Sequence, residues 1–347
     1  MSRNKSVAWP QRDQERMTAE QWFAGGQRIP YDPGLARVLT EEEAAGAPGA
    51  LRVFRRVVAA EHDPDATWLT LLPGFPDGSY GWAQVDQMLG DDLGPRLYVE
   101  PVGQGDSDKP RDYPYSTMER ADLVQAMWRH HGVRRTVVVT FDYTSLALLE
   151  LLRRRMEQTE SGDTTMPAIV AVLMVNGGLF ADAHTHPWQG TPLLRTWLGA
   201  QGMQRAQHSQ RVFDTAMMRA KMYSRGYRPT SEQLAEMRSA IVRRDGAAFL
   251  HNASGFVNEH RRHAQRWDLA AIARDLDGRV AVYVGGSVED PYEHRQIQAT
   301  REHVPGAEVL TFPGGHLTTS EHPDLLAAAI ADIAARHGVG ISSTDHR

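Results

Sequence analysis

The sequence predicts an α/β fold in which helices cover both faces of a mostly parallel sheet. Most predicted strands are continuous apolar runs, which is typical of strands buried on both faces. Helical segments separate several of these runs, and this alternation is typical of a parallel sheet. The interval between Phe180 and Arg279 contains helical patterns but no buried strand. We therefore expect a helical insertion that lies over the sheet as a cap.

The elements of the first part of the chain follow from local patterns. Residues 1–20 are polar and predict a loose arm, whereas 51–60 alternate and are rich in β-branched residues, as in a strand. Residues 67–76 and 96–110 each begin with an apolar run and continue into a Gly- or Pro-containing loop. Residues 116–133 have helical periodicity, begin with Ser116-Thr117 and end at Gly132, so they predict a helix.

The second part continues the alternation. Residues 135–155 combine an apolar strand with a helix, and almost no loop separates the two. Further buried strands are predicted within 168–180, 280–286 and 307–316, and an amphipathic helix covers 322–338.

The length of 347 residues fits one large α/β domain with an insertion, or two domains. The strand-free interval favours the first arrangement. It divides the chain into a core of residues 1–181 and 273–347 and a helical cap of residues 182–272.

Composition excludes several classes of function. The net charge of −5 and the pI of about 6.3 provide no basic field for nucleic acid or an anionic membrane. The chain contains no cysteine, which excludes disulfides, thiolate nucleophiles and cysteine-ligated metals. It has no apolar run long enough to cross a membrane and no secretory signal pattern, so we expect a cytoplasmic protein. The excess of arginine over lysine is typical of a GC-rich genome and favours a bacterial source.

The strand-to-helix junction at Thr140-Phe141-Asp142-Tyr143-Thr144 has the form of a nucleophile elbow. Its central residue is Asp142, and a carboxylate can act as a covalent nucleophile. Alternatively, Asp142 only caps the helix that follows it.

A second loop follows the strand in residues 67–76. Gly74 would allow the backbone N–H of Phe75 to point inward, and together with the N–H of Tyr143 it would form an oxyanion hole. The alternative is an ordinary turn between a strand and a helix.

Two further candidates follow late strands. His316 comes after Gly314-Gly315 and is a candidate general base, and Glu289 and Asp290 precede it as candidates to orient its ring. The chain order of nucleophile, acid and histidine is that of α/β-hydrolases.

With these motifs in view, the chain resembles α/β-hydrolases of the epoxide hydrolase and haloalkane dehalogenase group, and most of all the mesoderm-specific transcript-type hydrolases. The resemblance runs from about residue 20 to 335, and the stretches that carry it are LLPGFPDGSYGW (71–82), GQGDSDKP (103–110), YSTMERADLVQAMWRHHG (115–132), FDYTSLALLELLRR (141–154), VNGGLF (175–180), RPTSEQLAEM (228–237) and NEHRRHAQRWDLA (258–270). It implies the α/β-hydrolase fold, with an eight-stranded, mostly parallel sheet and a helical cap.

The resemblance also assigns roles to residues. Asp142 is then the nucleophile and His316 the base that activates water. Asp290 is the partner of His316, with Glu289 as the alternative, because the loop can be aligned in either of two ways.

The resemblance favours an epoxide as substrate. Haloalkane dehalogenases tend to have Asn and Trp at the places of Phe75 and Tyr143, where they bind halide. An epoxide also needs an acid, and Tyr223, Tyr227 and Trp188 of the cap are candidates. These three residues and Pro76 are expected to contact a small hydrophobic substrate. No cofactor is implied, and the protein is expected to be a monomer or a homodimer.

Two departures from the family keep alternatives open. Pro73 replaces a histidine before Gly74, and Thr140 and Thr144 replace the elbow glycines. They motivate a second hypothesis, a non-hydrolytic relative that binds a small molecule or a partner; haloalkane hydrolysis is the other alternative. The pairs His184-x-His186 and His260-x-x-His263 lack the further ligands of a metal site.

Overall fold

A computed structural model of the chain describes residues 15–58, 64–91, 93–161, 165–181, 183, 198, 202, 208–244, 259–293 and 295–340. These residues contain one mixed sheet. Its strands are β1 (Gln27–Asp32), β2 (Arg37–Val38), β3 (Leu51–Val58), β4 (Thr67–Leu72), β5 (Arg96–Val99), β6 (Arg135–Phe141), β7 (Ala168–Val175), β8 (Ala281–Ser287) and β9 (Glu308–Phe312).

The strand order across the sheet is β2-β1-β3-β5-β4-β6-β7-β8-β9. From β5 to β9 every neighbouring pair is parallel, whereas the pairs β2–β1, β1–β3 and β3–β5 are antiparallel. This confirms the predicted mostly parallel sheet.

The expected number of eight strands was wrong by one, since the described residues form nine. The edge of the sheet holds β1, which contains Pro30, and the two-residue β2. Neither segment has the apolar pattern of a buried strand: β2 is the edge strand itself, and β1 beside it is only partly covered.

The described helices are α1 (Ala19–Ala24), α2 (Glu41–Ala45), α3 (Ala83–Leu89), α4 (Thr117–His130), α5 (Thr144–Ser161), α6 (Gln210–Arg219), α7 (Ser231–Val242), α8 (Glu259–Arg262), α9 (Leu269–Leu276), α10 (Gln296–His303), α11 (Thr318–Glu321) and α12 (Pro323–Arg336). A 3₁₀ helix, Gly78–Trp82, leads into α3.

The helices explain why the central strands are apolar throughout. α4 and α9 pack against α5, whereas α3 packs against α12. All residues of β4 and β5 are buried as a result. None of the described helices is long and apolar enough to cross a membrane.

Four described helices, α6 to α9, lie in the chain between β7 and β8, where the sequence predicts the cap. α7 packs against the 3₁₀ helix and α1. The division into core and cap remains a prediction, because much of 184–207 and all of 245–258 lie outside the described residues. Residues 1–14 of the predicted arm also lie outside them.

Candidate active site

Asp142 occupies the sharp turn between β6 and α5. Its backbone has a φ of 57°, the left-handed region that a non-glycine residue adopts only at a cost. Its amide donates to the carbonyl of Val175 at 3.0 Å, and its own carbonyl accepts from Ser145 at 3.0 Å. These bonds hold the strained turn in place and bring the Asp142 side chain to the carboxyl end of the parallel strands.

The carboxylate of Asp142 faces two loops. Oδ2 accepts a hydrogen bond from the backbone N–H of Phe75 at 2.9 Å, and Oδ1 lies 3.6 Å from Nε2 of His316. Asp142 is 4% exposed, so these groups act on its carboxylate with little screening by water. If Asp142 only capped α5, its carboxylate would instead lie against the first turn of that helix.

The two threonines of the elbow are buried and hydrogen-bonded. The Thr140 hydroxyl pairs with that of Ser145 at 2.8 Å, and the Thr144 hydroxyl donates to the carbonyls of Phe141 at 2.9 Å and Leu72 at 3.2 Å.

Glycines elsewhere supply the space around the elbow. A Cβ on Gly177 would lie 2.1 Å from the Ser145 hydroxyl oxygen, and a Cβ on Gly74 would lie 2.5 Å from the Phe141 ring. The close approach at the elbow is therefore made by neighbouring loops.

The peptide group between Gly74 and Phe75 has a second partner. Nε2 of the buried Gln104 donates to the Gly74 carbonyl at 3.2 Å, while the N–H of the same peptide group donates to Asp142. Gln104 therefore helps to orient the proposed oxyanion donor. The sequence placed Gln104 in a loop after a strand, but no local pattern connects that loop to Gly74. The second proposed donor, Tyr143, is buried directly after Asp142.

His316 lies between two carboxylates. Its Nδ1 is 2.8 Å from Oδ2 of Asp290, which is 1% exposed. Burial of the His316 ring opposes its charge, but Asp290 and Asp142 outweigh burial and raise the pKa of His316 well above its ordinary value.

Of the two acids proposed to orient His316, the structure places Asp290 against the ring. Oδ1 of Asp290 accepts from the backbone amides of Tyr292 and Glu293, so the carboxylate is fixed on both sides. Glu289 is exposed and accepts from the amide of Arg225 at 3.1 Å.

The loop that carries His316 is supported by groups that sequence reasoning did not single out. Nδ2 of Asn176, at the end of β7, donates to the His316 carbonyl at 2.7 Å. Glu321 accepts from the amides of Gly315 and Ser224, each at 2.9 Å. Ser224 belongs to the predicted cap, so Glu321 connects the histidine loop to it.

The proposed substrate-binding residues are only partly brought together. The rings of Tyr223 and Tyr227 stack with centroids 5.4 Å apart. The Tyr227 hydroxyl accepts from Gln233 at 2.9 Å and donates to the Ser320 carbonyl at 3.4 Å. Burial and then the neighbouring Tyr227 raise the pKa of Tyr223 beyond the usual tyrosine range.

The other proposed contacts are placed as follows. Pro76 is half-buried directly after Phe75, whereas Trp188 lies outside the described residues, as do His184 and His186. His260 lies in α8, and His263 follows its last residue. Within the described residues, no three histidine, aspartate or glutamate side chains form a group that could hold a metal ion.

Another carboxyl group lies close to the site. Asp77 follows the Phe75 loop, is 4% exposed and lines a cavity of about 360 Å³. Burial and then the negative charge of Asp142 raise the pKa of Asp77 to about 7. The sequence motif contains Asp77, but its spacing gave no indication of a buried carboxyl.

The mixed sheet, the strained turn after β6 and the carboxylate–histidine–carboxylate arrangement define a protein of the α/β-hydrolase class. The profile of the alpha/beta hydrolase family matches residues 71–329, and the chain belongs to this family.

Curated relatives agree with this assignment. The chain is 30% identical to the mouse mesoderm-specific transcript protein over 218 residues, which are 59% of each chain. It thus spans about three fifths of that relative's length. It is also 28% identical to the putative hydrolase LipZ of Mycobacterium tuberculosis, over 76% of this chain and 87% of the relative.

Solved structures share the fold at low identity. The haloalkane dehalogenase DatA from Agrobacterium tumefaciens has a TM-score of 0.64 at 15% identity and covers 90% of this chain and 97% of its own. A thermophilic esterase from Thermogutta terrifontis has a TM-score of 0.59 at 15% identity, and the match covers 90% of this chain and 99% of the esterase.

Proposed function

We propose that this hydrolase opens an epoxide through a covalent ester on Asp142. One observation carries the proposal: Oδ2 of Asp142 is held by the Phe75 N–H, while Oδ1 faces the ring of His316. This arrangement divides the work between the two oxygens. Oδ1 is the nucleophile, and Oδ2 is placed where an oxyanion later develops.

In the first step, Oδ1 forms a bond to an sp³ carbon of the substrate. The epoxide carbon–oxygen bond breaks, its electron pair passes to the oxygen, and that oxygen takes a proton from an acid of the cap, for which Tyr223 and Tyr227 are the candidates among the described residues. The product is an alkyl ester of Asp142 that carries a neighbouring hydroxyl group.

In the second step, water attacks Cγ of Asp142 and gives a proton to Nε2 of His316. The Phe75 N–H stabilises the negative charge on Oδ2, and the ester oxygen leaves with the diol after taking a proton from His316. Ester formation removes one of the charges that raise the pKa of His316, which favours the neutral imidazole needed here. Asp290 holds the imidazole by its Nδ1.

The residues beside Asp142 favour an epoxide over a haloalkane. Phe75 and Tyr143 stand where the resemblance leads us to expect halide-binding Asn and Trp in dehalogenases. Haloalkane hydrolysis remains the second candidate, supported by a fold shared with two haloalkane dehalogenases. The substrate in either case is a small hydrophobic molecule, bound between the core and a cap formed by residues 182–272.

A single-turnover reaction in ¹⁸O-water tests the covalent route. Wild-type protein in excess is mixed with styrene oxide, and the peptide containing Asp142 is analysed by mass spectrometry. We expect ¹⁸O in the Asp142 carboxylate, because water attacks Cγ rather than the substrate. In His316→Gln we expect the ester to accumulate, and in Asp142→Asn no ester should form.

The same experiment separates the enzyme from a binding protein. If neither label nor turnover is found over a panel of epoxides and haloalkanes, the covalent route is contradicted and the binding hypothesis is favoured. Label in Asp142 with haloalkanes alone would favour the dehalogenase alternative.

A further inference from the structure

Asn176 lies at the carboxyl edge of the parallel strands, in the midst of the residues of the proposed reaction. The strands β6, β7, β8 and β9 are neighbours in that order, and they are followed by Asp142, Asn176, Asp290 and His316 respectively. Asn176 is 1% exposed, and neither step of the proposed reaction uses its side chain. Its contacts give a reason for its place between the strand of the nucleophile and the strands of the two groups that act on water.

The side chain of Asn176 holds two loops at once. Its Oδ1 accepts a hydrogen bond from the backbone N–H of Ser287 at 2.9 Å, and its Nδ2 donates to the carbonyl of His316 at 2.7 Å. Ser287 is the last residue of β8, and its carbonyl accepts from the N–H of Asp290 at 3.3 Å. One amide group therefore connects the loop of His316 to the start of the loop that carries Asp290.

These two partners determine which chemical group fits between them. A backbone N–H only donates and a backbone carbonyl only accepts, so the group must accept on one side and donate on the other. A carboxamide does both, whereas a carboxylate of the same size only accepts. The backbone of Asn176 has a φ of 46°, in the left-handed region where asparagine is enriched. Asparagine thus meets the requirements of both the side chain and the backbone.

The backbone on either side of Asn176 is fixed against the nucleophile. The carbonyl of Val175 accepts from the N–H of Asp142 at 3.0 Å, and the N–H of Asn176 donates to the carbonyl of Gly285 at 3.1 Å. A Cβ on Gly177 would lie 3.2 Å from the carbonyl oxygen of Asp142. The amide of Asn176 is therefore held at a set distance from the turn that carries the nucleophile.

We propose that Asn176 is a positioning residue, which sets the place of His316 and Asp290 relative to Asp142. The inference rests on the proposed function and deepens it. During ester hydrolysis, Nδ1 of His316 must stay at Asp290, 2.8 Å away, while Nε2 faces the water that attacks Asp142. These three side chains come from three separate loops, and the amide of Asn176 gives the loops a common reference. Asn176 itself makes and breaks no covalent bond.

The first test measures the two steps separately in the full-length Asn176→Gly protein. This substitution removes the amide group, and glycine adopts a positive φ without strain. Rapid-quench kinetics with styrene oxide follow the formation and the hydrolysis of the ester on Asp142. We expect hydrolysis to slow by about 100-fold, the cost of displacing a catalytic group by about 1 Å. Ester formation should be unchanged, because the attack by Oδ1 of Asp142 does not use His316.

The matched control is Thr70→Val. The Thr70 hydroxyl is buried in β4, where it pairs with the Thr136 hydroxyl and accepts from Nε1 of Trp128, each at 2.9 Å. Both variants lose buried hydrogen bonds and should unfold at lower urea concentration, but only Asn176→Gly should separate the two rates. Hydrolysis at the wild-type rate in folded Asn176→Gly, or equal slowing in Thr70→Val, overturns the role of Asn176 and leaves the nucleophile in place. If the wild type forms no ester on Asp142, the proposed function fails, and this inference fails with it.

A second measurement needs no substrate. The proton between Nδ1 of His316 and Asp290 is buried, so it should give a low-field NMR resonance that is protected from exchange with water and absent in His316→Gln. This resonance should shift or exchange faster in Asn176→Gly and stay unchanged in Thr70→Val; an unchanged resonance in Asn176→Gly overturns the proposal.

A second variant covers the case in which Asn176→Gly does not fold. Asn176→Asp keeps the size of the side chain and the acceptor for Ser287, but it puts an oxygen in place of Nδ2, against the His316 carbonyl. It should show the same slow hydrolysis and the same change of the resonance. Wild-type hydrolysis and a wild-type resonance in Asn176→Asp overturn the proposal.

Discussion

Replacing Asp290 by asparagine should slow hydrolysis of the Asp142 ester much more than its formation. Asp290 lies 2.8 Å from Nδ1 of His316, and both side chains are almost fully buried. The asparagine keeps the size of the side chain but removes the negative charge that stabilises the imidazolium. Water activation needs that charge, whereas the attack by Oδ1 of Asp142 does not.

The magnitude follows from the character of this bond. A hydrogen bond to a charged group contributes about 1.5–3 kcal/mol. Since each 1.36 kcal/mol corresponds to a factor of ten in rate, ester hydrolysis should slow by about 10- to 150-fold. The pKa of His316 should also fall, because burial then acts on it with one opposing charge fewer.

The matched control is Glu289→Gln. Glu289 is the adjacent carboxylate, but it is exposed and accepts from the Arg225 amide rather than from His316. Rapid-quench kinetics with styrene oxide would follow the ester in wild type, Asp290→Asn and Glu289→Gln, and NMR would follow the His316 titration. Equal hydrolysis rates in the two variants, or slower hydrolysis in Glu289→Gln, would refute the reasoning.

Three further substitutions test the surroundings of the site. Because the folded pKa of Asp77 is about 7 against an ordinary 3.8, its stabilising contribution is present below about pH 4 and is lost as pH rises through about 7. Between about pH 5 and about pH 8, the free energy of unfolding of the wild type in urea should thus fall by about 2–3 kcal/mol relative to that of Asp77→Asn. A difference between the two proteins that does not change with pH would contradict this. Thr144→Val removes a buried hydroxyl that serves two backbone carbonyls, and should cost about 1–3 kcal/mol of unfolding free energy; no loss would mean that these bonds add nothing. Gln104→Met should remove the hydrogen bond to the Gly74 carbonyl and lower the rate of ester hydrolysis about 10-fold, without changing Tm by more than a few degrees. Equal rates in the variant and the wild type would exclude Gln104 from positioning the Phe75 N–H.

The sequence predicted the fold class because its signals are local. Buried parallel strands need apolar residues on both faces, and this requirement appears directly in segments such as 168–175. The first two strands of the chain were missed for the opposite reason. β2 has two residues, and β1 contains a proline, so neither has a pattern that local rules recognise.

The site was predictable only where a motif is contiguous. The elbow at Asp142 and the loop before His316 are short sequence features, and the structure brings both side chains together. The choice between Glu289 and Asp290 depended on how one loop folds, and adjacent residues point in different directions. Gln104 lies 30 positions from Gly74, so no spacing rule connects them.

The two departures from the family have local compensations, and this bears on the binding-protein hypothesis. A threonine beside the nucleophile excludes catalysis only if its side chain prevents the strained turn. Here Thr140 and Thr144 place their hydroxyls in hydrogen bonds, and Asp142 still adopts a φ of 57°. Beside Pro73, which replaces the family's histidine, Gln104 donates to the carbonyl of Gly74, whose peptide group carries the N–H of Phe75. The substitutions at Thr140, Thr144 and Pro73 therefore do not by themselves favour a protein that only binds, and the ¹⁸O experiment decides between the two hypotheses.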